Sequence, residues 1–410
     1  MKREMASGTK RRATAIATVL LLAIYVLYVW DRFVYGVELP QIMKALGLQL
    51  TVAGFLASVF TLGLAIMAIP GGFISVKFGN RWTLLLGTVL FSLFTALTGL
   101  AIGFSDTLLY RIGGGVGEGL YNVAIFTFLG SLTIKRRGTS IGVGASLFGI
   151  GGFTGPIIAA YSFAVTGDWR VPFFVFGGTG LVGAVLIYFL VKPSDVDRLP
   201  QEQERLLKEE RGEKHGLAAL NGKWIIPVSI TMLAAGLAQY SYISVYSVFL
   251  QSANRISVID AGFIIGLYGI GNIVGGAPMG YVADRIGRRW AVGAYAVLLA
   301  IVSFFAYGMG GSVILYGAAG FIYGAFVNAL YTNSYATIQE ILPPSMMSVG
   351  TGYVATLYFL MGAVSGYFMT EGALLYGWLG AGLIIVALPS IIAAILTLTV
   401  QGHPIAKPVG

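Results

Sequence analysis

The sequence predicts an all-α membrane protein, with twelve transmembrane helices in two pseudo-symmetric six-helix bundles. Three observations carry this expectation. Of 410 residues, 57% are hydrophobic and only 10% are charged, with a mean hydropathy of +0.82, whereas soluble chains carry about 25% charge. Apolar runs of helical length recur from end to end, each able to cross about 30 Å of hydrocarbon. Finally, Lys and Arg alternate in density from one interspan connection to the next, and a ten-residue pattern recurs at matching places in the two halves.

The first six apolar runs lie near 15–38, 51–75, 83–103, 107–133, 139–163 and 171–191. The second six lie near 224–250, 258–282, 290–309, 312–338, 347–369 and 376–399. One side of this layout holds Lys2, Arg3, Lys10, Arg11, Arg12, Lys77, Arg81, Lys135, Arg136, Arg137, Arg285, Arg288, Arg289 and Lys407. The opposite side has only Lys44, Arg170 and Arg255. Basic loops face the cytoplasm, so both termini are expected there, in a multi-pass protein of the plasma membrane. No small-residue cleavage site follows the basic amino end, so the first span is expected to be retained. The charged stretch from Pro193 to Gly222 separates the sixth and seventh spans. It reads as a solvated linker and divides the chain into a bundle at 1–192, a linker at 193–222 and a second bundle at 223–410.

Composition also excludes function classes. Without cysteine there are no disulfides, iron–sulfur clusters or thiol nucleophiles. The two histidines, His215 and His403, fall outside the apolar runs, so no metal or other cofactor is expected. No catalytic dyad or nucleotide-binding loop suggests an enzyme. The net charge of +9 is explained by the basic loops, so a lipid bilayer rather than nucleic acid is the expected surroundings, with the protein a monomer.

The recurring pattern places Gly280, Asp284, Arg285, Gly287, Arg288 and Arg289 after the eighth span. Gly72, Val76, Lys77, Gly79, Asn80 and Arg81 stand in the same register after the second. The later copy matches, position for position, the G-x-x-x-D-R/K-x-G-R-R/K loop of the major facilitator superfamily, and the whole layout resembles that family. The resemblance implies a transporter whose loop latches the two halves together on the cytoplasmic side, through Gly280, Asp284, Arg285, Gly287 and Arg288. The earlier copy departs from the pattern, with Val76 in place of the acid and Asn80 in place of a base.

Charge inside a span is costly and marks ion or substrate pathways. Asp31 and Arg32 lie in the first span and Arg111 and Glu118 in the fourth; Glu38 sits near the end of the first. Arg111 and Glu118 are seven residues apart and share a helix face, about 10 Å from each other. A carboxylate moved between a guanidinium and a wet cavity binds and releases protons, which makes protons the natural coupling ion. A narrower resemblance uses the same residues. Asp31, Arg32, Leu39 and Pro40 are similar to the D-R-x(6)-L-P pattern of the anion:cation symporters, the group of sialin, the vesicular glutamate carriers and bacterial sugar-acid carriers. Arg111, Gly117, Glu118 and Gly119 resemble its R-x(5)-G-E-G segment, and Trp169, Arg170, Pro172 and Phe173 its W-R-x-P-F segment. That likeness implies proton coupling at Asp31 and Glu118, a substrate carboxylate on Arg32, and Arg111 paired with Glu118.

The spinster group, which exports lysolipids and sphingosine phosphate, is similar at the first-span and fourth-span motifs. In the fifth span, Gly142, Gly151, Gly155, Pro156, Ala159 and Ala160 resemble the antiporter motif, with Ala-Ala where that motif has Gly-Gly; they read mainly as packing and hinge residues. Two transport readings therefore stand: a proton-coupled symporter importing a small organic anion, carboxylate or sugar acid, and a proton-driven exporter of a lipid-like amphiphile or drug. Tyr28 and Tyr35 flank the first-span charges by a turn each and are expected at the binding cavity. Asn122, Gln239, Tyr242, Asn272, Asn328 and Tyr331 are candidate partners for substrate hydroxyls.

Overall fold

The computed structural model describes residues 2–68, 70–132, 137–197, 223–308, 311–342 and 347–400. Several features discussed above lie outside them: Lys135, Arg136, His215, His403, Lys407 and most of the 193–222 linker. The side chains of Lys2, Arg3, Lys10, Arg11, Arg12, Val76 and Arg137 are likewise outside the description.

Among the described residues there are helices and no strands. Hydrocarbon offers backbone groups no partners, so each crossing segment must satisfy its own N–H and C=O groups, which a helix does. In the first half the crossings are Lys2–Val37, Leu50–Phe78 in three helical pieces, Asn80–Thr98, Phe104–Leu132, Arg137–Thr166 and Val171–Leu190. In the second half they begin with Ile225–Ala253, Val258–Ile286, Arg288–Gly308 and Val313–Ile341. The long helix from Met347 doubles back at Gly377, whose φ of 70° ends one crossing and starts the next. These twelve crossings are called spans 1–12 below. Among the described residues, ten stretches are long and apolar enough to cross a membrane. One of them, Gly350–Thr399, holds spans 11 and 12, and the glycines and charges of Phe104–Leu132 dilute the apolarity of span 4. Large apolar side chains such as Phe73, Phe189 and Ile314 face outward at 72–80% exposure, as a hydrocarbon surrounding requires.

The repeat is structural as well as sequential. Gly79 and Gly287 turn the chain from span 2 to 3 and from span 8 to 9 with φ of 88° and 90°, a region open to glycine and strained for other residues. Two residues later, Arg81 donates to the carbonyls of Val191 (2.6 Å) and Tyr188 (2.7 Å) at the end of span 6. Arg289 donates to the carbonyl of Leu398 at the end of span 12. Each arginine thus meets the negative end of a helix dipole. The acid absent at Val76 has a substitute: Asp197 accepts from the backbone N–H of Arg81 at 2.9 Å. In the second copy Arg288 bridges Asp284 (2.8 Å), Glu340 (2.6 Å) and Asn333 (3.0 Å). These contacts stay inside one half. The expected latch between halves is therefore, among the described residues, a clamp within each half.

The halves meet at the end opposite these basic turns. Ser247 of span 7 donates to the carbonyl of Val37 at 2.7 Å, and Gln41 bonds Gln251 at 2.8 Å. Ser58 of span 2 donates to the carbonyl of Ala363 in span 11 at 2.9 Å. Span 5 is wedged between spans 1 and 8: Gly155 packs on Trp30 and Gly152 on Gly269, so its glycines act in packing.

Candidate functional site

Adjacent residues on a helix point about 100° apart, and span 1 uses that divergence. Asp31 faces span 3, where Thr95 donates to its carboxylate at 2.5 Å. Arg32 faces span 4, where its Nε donates to Glu118 at 2.8 Å. The guanidinium also donates to the hydroxyl of Tyr28 and, at 3.4 Å, to the hydroxyl of Tyr240 in span 7. Its Cζ lies 4.4 Å from the Tyr28 ring centroid. All four charged residues are nearly inaccessible, between 1% and 5% exposed.

The remaining oxygen of Glu118 has no fixed donor among the described residues, and the Asp31 carboxyl is close enough to Glu118 to interact with it electrostatically. Asp31, Thr95, Arg111 and Glu118 share one narrow crevice. Two acids thus face each other, one held by a hydroxyl and the other by a guanidinium.

Arg111 departs from the expected pairing with Glu118. It donates to the carbonyls of Leu56 (3.2 Å) and Ala57 (2.9 Å), and its guanidinium lies 4.6 Å from the Tyr35 ring and 4.4 Å from the Phe60 ring. Both carbonyls lie in the last turn of the first helical piece of span 2, which ends at Ser58. Arg111 still acts electrostatically on Asp31 and Glu118. Tyr35 therefore serves Arg111 rather than Arg32.

Of the remaining candidates, Tyr28 and Tyr331 stand near Arg32. Tyr331 is half-buried, 4.6 Å from Tyr335 and 4.8 Å from Tyr358 between ring centroids, and within electrostatic range of Arg32. Asn122 is half-buried one turn past Glu118. The others are committed to the interior of the second half. Gln239 accepts from the Tyr268 hydroxyl. Tyr242 is stacked between Tyr246, Tyr268 and Tyr323 at 4.1–5.1 Å. Asn272 donates to the Tyr268 carbonyl at 2.9 Å and its own carbonyl accepts from Asn328 at 2.6 Å. A buried amide must be bonded, and these find helix partners rather than a cavity.

Sequence reasoning missed Thr95 and underrated Tyr240. A span-3 threonine looks like any intrahelical hydroxyl, and Thr95 does also bond the Phe91 carbonyl at 2.7 Å. Tyr240 was one of many second-half tyrosines, and nothing local marks it as the contact that brings the second half to Arg32.

Comparison with known proteins supplies the family. The chain is 28% identical over 264 residues to the hexuronate transporter of Bacillus subtilis (strain 168), covering 64% of this chain and 62% of that one. It is 26% identical over 288 residues to the probable sulfoacetate transporter of Cupriavidus necator, covering 67% and 65%. The matched stretches thus span just under two thirds of these relatives' length. Among solved structures, the fold resembles a bacterial homolog of the human lysosomal transporter Spinster, in an inward-facing and unoccupied conformation. That match has a TM-score of 0.73 and 16% identity, and covers 94% of this chain and 95% of the other. Residues 21–365 and 228–409 match the Major Facilitator Superfamily, and the chain belongs to that family.

Proposed function

We propose that the protein is a proton-coupled symporter that imports a small organic anion by alternating access, as a monomer in the plasma membrane with both termini cytoplasmic. The observation that carries this reading is the salt bridge from Arg32 to Glu118, beside a second acid, at a point that reaches both halves through Tyr240. Counted as ionised, Asp31 and Glu118 offset Arg32 and Arg111, and the buried set is then neutral. An anion arriving alone would leave a net charge in low dielectric, which is prohibitively costly. An anion arriving with one proton leaves the sum unchanged. The proton goes to Glu118 or Asp31, the two acids of the set, and the freed guanidinium takes the substrate carboxylate. Protons and anion therefore load together.

The far-end seal between spans 1 and 7 and spans 2 and 11, with half-buried Asn122, Phe126, Tyr331 and Tyr335 on the basic-end side of Arg32, fits a site that opens toward the cytoplasm. The hexuronate and sulfoacetate for which two of the relatives are named support the anion class over an amphiphile. Uptake of labelled carboxylates into proteoliposomes under an imposed pH gradient tests the proposal. Accumulation that collapses when a protonophore is added is expected. Uptake indifferent to the gradient would overturn symport, and proton-driven efflux of lysolipids with no anion uptake would favour the exporter.

A further inference from the structure

The proposed site has walls as well as charges, and their composition discriminates between substrates. On the basic-end side of Arg32, the first half offers Tyr25, stacked on Tyr28 at 5.2 Å and edge-on to Phe126 at 5.9 Å. The second half offers Tyr331 with Tyr335 and Tyr358 at 4.6 and 4.8 Å, and Tyr358 packs on Tyr240 at 5.5 Å. The two walls come from different bundles and converge on the guanidinium. Its Cζ is 4.4 Å from the Tyr28 ring on one side and 5.9 Å from Phe359 on the other. Tyr25 and Tyr331 are each within electrostatic range of Arg32 and of one another.

A sugar acid carries a hydroxyl on nearly every carbon, and each one buried without a partner costs about 1–3 kcal/mol. Planar amides and acids usually supply those partners. Here Gln239, Asn272, Asn328 and Asn333 are spent on Tyr268, on a helix carbonyl, on Asn272 and on Ala329 with Arg288, which leaves half-buried Asn122, one turn past Glu118, as the amide on this side of the site. The rings over the guanidinium are Tyr28, Phe148 and Phe359, at 4.4, 5.8 and 5.9 Å from Cζ to ring centroid. Such walls favour a flat, polarisable body, by stacking and edge-to-face contact, with the carboxylate on Arg32.

Resting on the organic-anion reading above, we infer that the substrate is a planar monocarboxylate, aromatic or conjugated, and not a polyhydroxyl acid. Tyr331 and Tyr25 then form the two jaws of the slot, and Tyr331 is a specificity-determining residue.

Calorimetric titration of the purified full-length protein with 4-hydroxybenzoate, cinnamate, galactonate and glucuronate tests this, with Arg32→Gln run in parallel. The aromatic acids should bind at least about tenfold more tightly than the sugar acids, and binding should be lost in Arg32→Gln. Tyr331→Leu should cost about tenfold for the aromatic acids and little for the sugar acids, while Tyr331→Phe keeps the aromatic affinity within about threefold. Because the aromatic-to-sugar ratio is read in the unmodified protein, it stands even if a variant folds poorly. Sugar acids binding as tightly as aromatic ones, in an Arg32-dependent way, would overturn the planar class and leave the anion carrier intact. Unchanged aromatic affinity in Tyr331→Leu would overturn the slot. Binding of no carboxylate in an Arg32-dependent way would overturn the organic-anion reading itself.

Discussion

Gly36→Ala should open the far end. A Cβ built on Gly36 would lie 2.0 Å from the carbonyl oxygen of Ile243 and 3.2 Å from that of Ser244, both backbone atoms of span 7. Carbon and oxygen need at least about 3 Å, so the two spans must part by about 1 Å; no side-chain rotation can relieve a backbone clash. Overpacking of this kind costs about 1–3 kcal/mol. Spans 1 and 7 belong to different halves, so the strain is released by rocking the halves apart, and a penalty confined to the sealed state shifts the sealed-to-open ratio by about 5- to 150-fold. The chain has no native cysteine, which allows a single-thiol reporter. Ser244 is 1% exposed and its hydroxyl has no hydrogen-bond partner among the described residues, so Ser244→Cys is a mild change that buries the thiol in the seal. Maleimide labelling of Ser244→Cys in detergent should be slow alone and faster by that factor with Gly36→Ala. Equal rates in the two backgrounds would refute the claim that glycine at 36 is what lets the far end close.

Other expectations follow from the same geometry. Asp31→Asn and Glu118→Gln should abolish uphill accumulation of substrate while leaving counterflow exchange, which releases no net proton; accumulation persisting in both would contradict the assignment. Glu38 lies in the turn after span 1, fully buried, with no hydrogen-bond partner for either carboxylate oxygen among the described residues, and loss of solvent pushes its carboxyl up from about 4.5 to about 9. A raised carboxyl stabilises the sealed form fully below its ordinary value, and that contribution is lost as pH climbs toward 9. Labelling of Ser244→Cys should therefore accelerate between pH 7 and 9 beyond the change seen in a Glu38→Gln background; identical pH profiles would remove this role. Arg288→Ala breaks contacts to Asp284, Glu340 and Asn333 and should cost about 1.5–3 kcal/mol, seen as a lower unfolding midpoint without loss of anion affinity in the folded fraction.

Much of the fold was legible because bilayer thickness sets span length and each basic loop marks a side. The four buried charges were legible for the same reason: an ionisable residue within an apolar run stands out. Their pairing was not. Arg111 and Glu118 share a face of span 4, and the expected bond between them is instead replaced by carbonyls of Leu56 and Ala57. Which backbone carbonyls of a neighbouring span come within reach of an arginine depends on how the helices pack, which the sequence does not mark. The fate of Asn272 and Asn328 was equally hidden. An amide's choice between a cavity and a neighbouring helix carbonyl depends on helix rotation, which hydropathy does not report. Asp197 standing in for the acid missing at Val76 lies more than a hundred residues away along the chain, beyond any local pattern.

Calorimetric titration of a carboxylate into the wild-type protein, Arg32→Lys and Arg32→Gln tests the central claim most directly. Arg32 is the buried cation that touches both an acid of its own half and Tyr240 of the other. Arg32→Lys keeps the charge but loses the planar fork, so affinity should fall by one to two orders of magnitude, about 1.5–3 kcal/mol. Arg32→Gln should bind nothing measurable while remaining folded. Equal affinity in wild type and Arg32→Gln would contradict the account.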